Sequence, residues 1–147
     1  MCAQILGLIE LPENAEAISK SLAQSGHKIV VTTTFTQAKV VLARSRVDLI
    51  ISEVHLQNGG SVFDFLMWIR RDPATNKTPF VLFSSQRSDT ARYLEDGIRI
   101  TARTLGATKY IVMDSFDTND FCEQIDSLLP KKDESCDAEI PQAPPQT

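Results

Sequence analysis

The chain has 147 residues, 42% hydrophobic and 23% charged, and these values are typical of a soluble globular protein with one domain. Its 19 acidic and 15 basic residues give a net charge of −4, which argues against a general electrostatic grip on nucleic acid or an anionic membrane. The 3 cysteines are too few and too scattered for a disulfide framework or a CxxC metal site, which is typical of a reducing compartment.

The N-terminal sequence "MCAQILGLIELPEN" contains a short apolar segment but no basic leader. No stretch of the chain approaches the roughly 18 apolar residues that a membrane-spanning helix requires. We therefore expect a cytoplasmic protein that contacts neither a membrane nor nucleic acid directly.

Apolar runs of strand length alternate with segments of helical period, which predicts a parallel sheet with helices on both faces. The first strand is predicted at residues 4–9, and Pro12 fits the opening turn of the helix that follows. That helix runs to Ser25 with an apolar stripe made of Ala15, Ile18, Leu22 and Ala23. The β-branched sequence "KIVVTTT", residues 28–34, predicts the second strand, and Thr36 is the predicted cap of the second helix.

The centre of the chain predicts a strand buried on both faces, because "DLIIS" at residues 48–52 holds a run of consecutive apolar residues. A glycine-containing loop leads to the helix "SVFDFLMWIRR", whose apolar positions recur at helical spacing as Val62, Phe65, Leu66 and Ile69. After a polar connection with prolines at both ends, "PFVLFSS" predicts a fourth strand that ends at Ser84.

The remaining pattern predicts a longer helix, a short strand and a last helix. The longer helix covers residues 89–105 and is stopped by Gly106, and "KYIVM" is the fifth strand. The last helix begins near Asp117, an acidic residue suited to a helix N-terminus, and Pro130 ends it. Its inward positions are Phe121, Ile125, Leu128 and Leu129.

These elements predict one domain at residues 1–129, followed by a tail at residues 130–147. The tail holds 4 of the 7 prolines and almost no large apolar residue, so we predict that it is disordered. Five β/α units predict an α/β fold, with a doubly wound five-stranded parallel sheet in a three-layer α/β/α arrangement close to the flavodoxin-like fold. The pattern does not determine the order of the strands.

Functional groups gather at the carboxyl ends of the strands in such a sheet, because loops and helix N-termini meet there. The polar or sulfur-containing candidates that follow the predicted strands are Glu10, Glu53, Ser84, Ser85, Met113 and Asp114. The first strand–helix turn, "ILGLIELPENAE", lacks a glycine-rich phosphate loop. A flavodoxin-like enzyme or nucleotide binder is therefore the weakest interpretation.

Three stretches make the pattern more specific, namely "VDLIISEVHLQNGGSVFDFLMWIRR", "TPFVLFSS" and "LGATKYIVM". With these stretches in this order and spacing, the chain from about Gln4 to Leu129 resembles a response-regulator receiver domain of the CheY-like family. Such domains take a phosphoryl group from a histidine kinase onto a carboxylate after the third strand. The resemblance implies a role in bacterial two-component signal transduction.

The charged positions that the resemblance implies are mostly changed in this chain. Glu53 stands where the family has its phosphoacceptor aspartate. Where the family has an acidic pair that holds Mg²⁺, the chain has Glu10 between two apolar residues. The family's lysine after the fifth strand is matched by Met113, and the proline after that lysine is matched by Asp114.

Two uncharged positions of the family are kept, the hydroxyl after the fourth strand as Ser84 and the switch aromatic of the fifth strand as Tyr110. Phosphoryl transfer needs a divalent cation on the phosphate oxygens and a fixed cation for the phosphorylated state. The changed positions therefore predict weak or absent Mg²⁺ binding, no other cofactor, no metal site and no catalytic residue.

Three interpretations of Glu53 are open, namely a solvated loop carboxylate, a mimic of a phosphorylated aspartate or other pocket element, and a working phosphoacceptor. For the whole chain we favour a stand-alone pseudo-receiver, which is a phosphorylation-independent protein-interaction module and not an enzyme. The alternative is a divergent receiver that a histidine kinase still phosphorylates in a phosphorelay.

The expected partner is a signalling protein, either a histidine kinase or an effector, and a homodimer is left open. In receivers, the fourth helix, fifth strand and fifth helix form the surface that partners read. The fourth predicted helix and the loop before it carry basic side chains in an acidic protein, Arg87, Arg92, Arg99 and Arg103. This composition indicates a changed partner surface.

Overall fold

The structure is a computed structural model that describes residues 3–54, 61–85, 89–113 and 115–129, with the backbone alone for residues 89–95. Five strands alternate with five helices in these ranges. In chain order they are β1 (Gln4–Leu8), α1 (Pro12–Gln24), β2 (Lys28–Thr32), α2 (Phe35–Arg44), β3 (Leu49–Glu53), α3 (Val62–Arg71), β4 (Phe80–Ser84), α4 (Asp89–Leu105), β5 (Lys109–Val112) and α5 (Thr118–Asp126). The predicted alternation is confirmed.

The strands form a single parallel sheet in the order β2-β1-β3-β4-β5. The two central strands β3 and β4 are buried along their whole length, as expected for strands covered on both faces. The register pairs Glu53 with Phe83 and Ser84 with Val112, so the carboxyl ends of β3, β4 and β5 lie at one edge. The predicted α/β fold with a doubly wound five-stranded sheet is confirmed.

Two hydrophobic clusters, one on each face of the sheet, form the core of the three layers. Side chains of α1 and α5 pack on one face, and Ile18, Leu22, Phe121 and Ile125 are fully buried there. Side chains of α2, α3 and α4 pack on the other face. Strand residues alternate between the two clusters because successive side chains point to opposite faces.

Two predictions near α2 are wrong for one shared reason. The second strand was expected to run to residue 34, but β2 ends at Thr32 and Thr34 is the N-cap of α2. The Thr34 side chain accepts a hydrogen bond from the backbone N–H of Gln37 at 3.2 Å, so Thr36 is not the cap. The strand stops before Thr34 because the side-chain oxygen of Thr34 accepts from an N–H in the first turn of the helix.

Other differences are confined to element ends and one helix position. β1 ends at Leu8 and β5 at Val112, one residue before each predicted end. β3 extends one residue further than predicted and includes Glu53. Ala23, expected in the apolar stripe of α1, is exposed, because the stripe continues through Leu22 and the buried Ser21 instead.

Further sequence predictions concern chain segments that the structure does not describe. The expected tail at residues 130–147, and with it the domain boundary after residue 129, lies outside the described residues. Asp114 also lies outside them. Among the helices that are described, none is long and apolar enough to cross a membrane.

Candidate functional site

The carboxyl edge of the sheet brings most of the candidate residues to adjacent strand ends. Glu53 and Ser84 are the last residues of β3 and β4, and Met113 directly follows β5. Glu10 follows β1, which pairs with β3. The topology therefore gathers four of the predicted positions along one edge.

Glu53 is buried, with only 3% of its surface exposed. Leu49 and Ile51 belong to the cluster under α1 and α5, and strand alternation places Glu53 on this same face. The interpretation of Glu53 as a solvated loop carboxylate is therefore wrong. A carboxylate that is removed from water in this way needs hydrogen-bond donors to offset its desolvation.

Both carboxylate oxygens of Glu53 accept hydrogen bonds from the start of α1. The backbone N–H groups of Glu10 and Leu11 both donate to Oε1, the latter at 3.1 Å. The side-chain amide of Asn14 donates to Oε2 at 2.7 Å. Glu53 is thus joined to α1 by three hydrogen bonds, two from the backbone and one from a side chain.

α1 begins without a side-chain cap, and Glu53 accepts hydrogen bonds from the backbone just before its first turn. Its N-cap is Leu11, which has no side-chain oxygen, and Pro12 at the first helical position has no N–H. A helix N-terminus presents unpaired N–H groups and the positive end of the helix dipole, so it favours a carboxylate. Glu53 supplies that carboxylate from the neighbouring strand and acts as an anion for α1.

Sequence reasoning missed Asn14, which is 7% exposed. Besides its bond to Glu53, its amide nitrogen donates to the Ser85 hydroxyl at 3.0 Å. Asn14 therefore links the ends of β3 and β4, and Ser85 joins the Glu53 cluster through it. A polar residue in the first turn of a helix that follows a buried strand was the available signal.

Ser84 and Met113 form the other side of this edge. Ser84 is 5% exposed, and its backbone carbonyl accepts a hydrogen bond from the N–H of Met113 at 2.9 Å. The Met113 side chain is buried in the cluster that contains Ile111 and Phe121. The position that matches the family's lysine therefore contributes apolar packing and no positive charge.

Tyr110 lies on β5, on the sheet face covered by α4. Its ring is partly buried in the cluster of that face, and the Arg99 guanidinium stands over it with 5.0 Å between Cζ and the ring centroid. This distance is within the range of a cation–π interaction. The candidate switch aromatic is thus held against α4.

The described residues at this edge do not fit a magnesium ion. Mg²⁺ requires several oxygen ligands in octahedral geometry, whereas the groups that converge on Glu53 are N–H donors. Within the described ranges, no group of three or more His, Cys, Asp or Glu residues is placed to hold a metal ion. The donor set suits an anion.

Comparisons with known proteins identify similar structures but no similar sequences. No protein-family model matches the chain, and no curated protein matches it. The chemotaxis response regulator CheY4 of Vibrio cholerae is similar to it with a TM-score of 0.73 at 19% identity, over 88% of this chain and 100% of that one.

Two further solved structures agree with this comparison. A response regulator from Thermotoga maritima has a TM-score of 0.72 at 17% identity, over 87% of this chain and 98% of that one. The third structure is the receiver domain of a sensor histidine kinase from Pseudomonas aeruginosa, which has a magnesium ion coordinated in its active-site cleft. It has a TM-score of 0.71 at 17% identity, over 87% of this chain and 98% of that one. The chain therefore has the CheY-like fold of response-regulator receiver domains.

Proposed function

We propose that this protein is a pseudo-receiver, a signalling module that binds a protein partner without being phosphorylated and without catalysing a reaction. The observation that carries the proposal is the state of Glu53, whose two carboxylate oxygens are buried and bound by α1. The receiver-like fold supports the signalling context.

A phosphoacceptor carboxylate must present a free oxygen in line with the phosphorus atom. In this chain, the attacking oxygen would have to leave hydrogen bonds to a charged acceptor, each of which contributes about 1.5–3 kcal/mol. Glu53 also has one more methylene than aspartate, and misplacement by about 1 Å can lower a rate on the order of 100-fold. Both effects oppose phosphorylation at Glu53.

In the described part of this edge, the position that matches the family's lysine carries no cation for phosphoryl transfer. Met113 is buried among apolar side chains where the family has its lysine, and the N–H groups at Glu53 would repel Mg²⁺. We therefore propose that Mg²⁺ binding is weak or absent. We therefore interpret the Glu53 carboxylate, held at the start of α1, as a permanent negative charge and not as a group that gains and loses a phosphoryl group.

Partner binding is proposed to use the surface formed by α4 and β5. A cavity of about 210 Å³ lies there, lined in part by Arg99, Arg103, Lys109 and Tyr110. Three positive charges around a partly exposed aromatic ring favour an acidic segment of a partner, such as a histidine kinase or an effector. Two of the similar structures are receiver domains of histidine kinases, which is consistent with this kind of partner.

The test is incubation of the purified full chain with acetyl phosphate and Mg²⁺, followed by intact-protein mass spectrometry. We expect no mass increase, while a receiver domain that has the aspartate and lysine gains one phosphoryl group in parallel. A phosphoryl group that appears in this protein and disappears in Glu53→Ala would refute the proposal. That result would establish the alternative, a divergent receiver in a phosphorelay.

Two companion measurements test the metal and the partner surface. Saturable quenching of Trp68 fluorescence by Mg²⁺ would contradict the predicted weak binding. Once a partner is available, Arg99→Glu with Arg103→Glu should weaken its binding at least tenfold, whereas Arg71→Glu on the exposed part of α3 should not. Binding that depends on acetyl phosphate would contradict the proposal.

A further inference from the structure

A second cavity, of about 800 Å³, lies at the amino edge of the sheet, at the opposite end from Glu53. Its walls are the α2–β3 connection, the α3–β4 connection and the residues that follow α5. None of the candidate residues at the carboxyl edge lines it. The cavity is therefore a separate feature of the fold.

One wall of this cavity is fixed by Arg70. Its Nη1 donates to the Thr78 carbonyl at 2.7 Å and, more weakly, to the carbonyls of Thr75 and Asn76. Burial lowers the pKa of the Arg70 guanidinium from its usual value, but arginine remains protonated in proteins. The Nε of Arg70 also donates to the Gly106 carbonyl at 3.0 Å. The Arg70 side chain therefore binds four backbone carbonyl oxygens.

The charge of the lining is positive. Arg46 and Lys77 contribute two cations from opposite walls, and both residues are exposed. Among the described lining residues the one carboxylate is Asp48, which accepts a hydrogen bond from the backbone N–H of Gln4 at 2.9 Å. The apolar side chains of Leu128 and Leu129 line the side formed by the residues after α5.

After Pro130, Lys131 and Lys132, the chain continues from this wall into a segment of the opposite charge. Leu129 lines the cavity, and four residues later the sequence "DESCDAE" carries four carboxylates and no cation, at residues 133–139. Since an extended residue spans about 3.5 Å, residue 133 can lie anywhere within roughly 14 Å of Leu129. The acidic segment therefore starts within reach of both Arg46 and Lys77.

We propose that the acidic segment at residues 133–139 docks in this cavity of its own chain, with its carboxylates against Arg46 and Lys77. The short tether keeps the segment at a high effective concentration, so weak charge pairing suffices to hold it. Docking would cover the amino edge of the sheet and leave the α4–β5 surface accessible. The inference is independent of the function proposed above.

Cys136 lies within the segment and allows a disulfide-trapping test in the full chain with Cys2→Ser and Cys122→Ser. One variant adds Asn76→Cys in the cavity wall, and the control adds Asn119→Cys, also an exposed asparagine, near the N-terminus of α5. Asn119 lies about 15 Å from Leu129 by helical rise, within the roughly 24 Å that seven extended residues can span. A free tether can therefore reach the control cysteine.

We expect the disulfide to Asn76→Cys to form at least tenfold faster than the disulfide to Asn119→Cys under mild oxidation. Neutralising the acids with Asp133→Asn, Glu134→Gln, Asp137→Asn and Glu139→Gln should reduce this ratio to about one. Equal rates before neutralisation would overturn the proposal, and so would a ratio that neutralisation leaves unchanged. Disulfides found only between two chains would also overturn it, because a second copy would then occupy the cavity.

Should Asn76→Cys unfold the protein, as judged by circular dichroism, Ala74→Cys replaces it in the same wall with the same expected ratio. A second measurement uses Arg46→Gln with Lys77→Gln, which should slow trapping at position 74 or 76 at least fivefold. The matched control is Lys20→Gln with Lys28→Gln, two exposed cations outside the cavity. An equal effect of the two pairs would show that net charge, and not docking, sets the rate.

Discussion

Replacing Glu53 with alanine should destabilise the protein by about 3 kcal/mol. The side chain accepts hydrogen bonds from Glu10, Leu11 and Asn14, and hydrogen bonds to a charged group contribute about 1.5–3 kcal/mol each. Their sum is an upper bound, since removing Glu53 also removes the cost of burying a carboxylate, and water can enter the space left. A loss well below that bound is therefore expected.

Urea unfolding followed by circular dichroism and Trp68 fluorescence measures this loss. At an m-value of about 1–3 kcal/mol/M, a loss of 3 kcal/mol lowers the midpoint by about 1–3 M, with m unchanged. The melting temperature should fall by roughly 10 °C in a domain of this size. Faster hydrogen exchange at the Glu10 and Leu11 amides would locate the effect at the start of α1.

Two variants test whether the hydrogen bonds, and not merely the side chain, are responsible. Glu53→Gln keeps one oxygen to accept from the backbone donors, but its amide N–H groups would face the amide N–H groups of Asn14. The variant should lose about 1–2 kcal/mol of unfolding free energy. Glu16→Ala changes an exposed carboxylate of α1, and its unfolding free energy should stay within about 0.5 kcal/mol of the wild type. If Glu53→Ala is no less stable than Glu16→Ala, the carboxylate does not hold α1.

Two other matched pairs test local features of the fold, each by urea unfolding. Gly106→Ala should destabilise by about 1–2 kcal/mol, since Gly106 has φ of +103° and an added Cβ would lie 3.1 Å from Nε of Arg70. By contrast, Gly97→Ala should stabilise by about 0.5–1 kcal/mol, because its Cβ would meet no described atom outside its own helix backbone within 4 Å and helical glycine is costly. Thr34→Ala should cost about 1 kcal/mol as the N-cap of α2, whereas Thr36→Ala should change little. The reverse order within either pair would contradict the corresponding assignment.

The sequence alone was sufficient to predict the order and type of the helices and strands, since each depends on local periodicity and on glycine and proline positions. α4 begins and ends at the predicted residues, and Gly106 stops it with a positive φ that glycine tolerates. The inward side of α3 was also predicted, because Val62, Phe65, Leu66 and Ile69 recur at the helical period and are all buried. Errors arose at element ends, such as those of β2 and α5, at the cap of α2 and at Ala23, where the local pattern leaves the assignment open.

The sequence also identified the position of Glu53 but not its environment. The predicted strand ends placed Glu53, Glu10, Ser84 and Met113 at one edge of the sheet, and the topology confirms this placement. Whether Glu53 faces water or protein depends on how α1 packs against β3, which involves residues about 40 positions apart in the chain. No local pattern contains that information.

The tertiary structure decided that Glu53 is an internal anion for α1. Leu11 cannot cap the helix with its side chain, and its backbone N–H, like that of Glu10, needs an acceptor from another element. Once parallel pairing of β1 with β3 brings the end of β3 beside this helix start, the Glu53 carboxylate is that acceptor. The sequence determined which hydrogen-bond donors and acceptors were present. Long-range packing determined which of them are paired, because hydrogen bonds between helices and strands form only after the chain has folded.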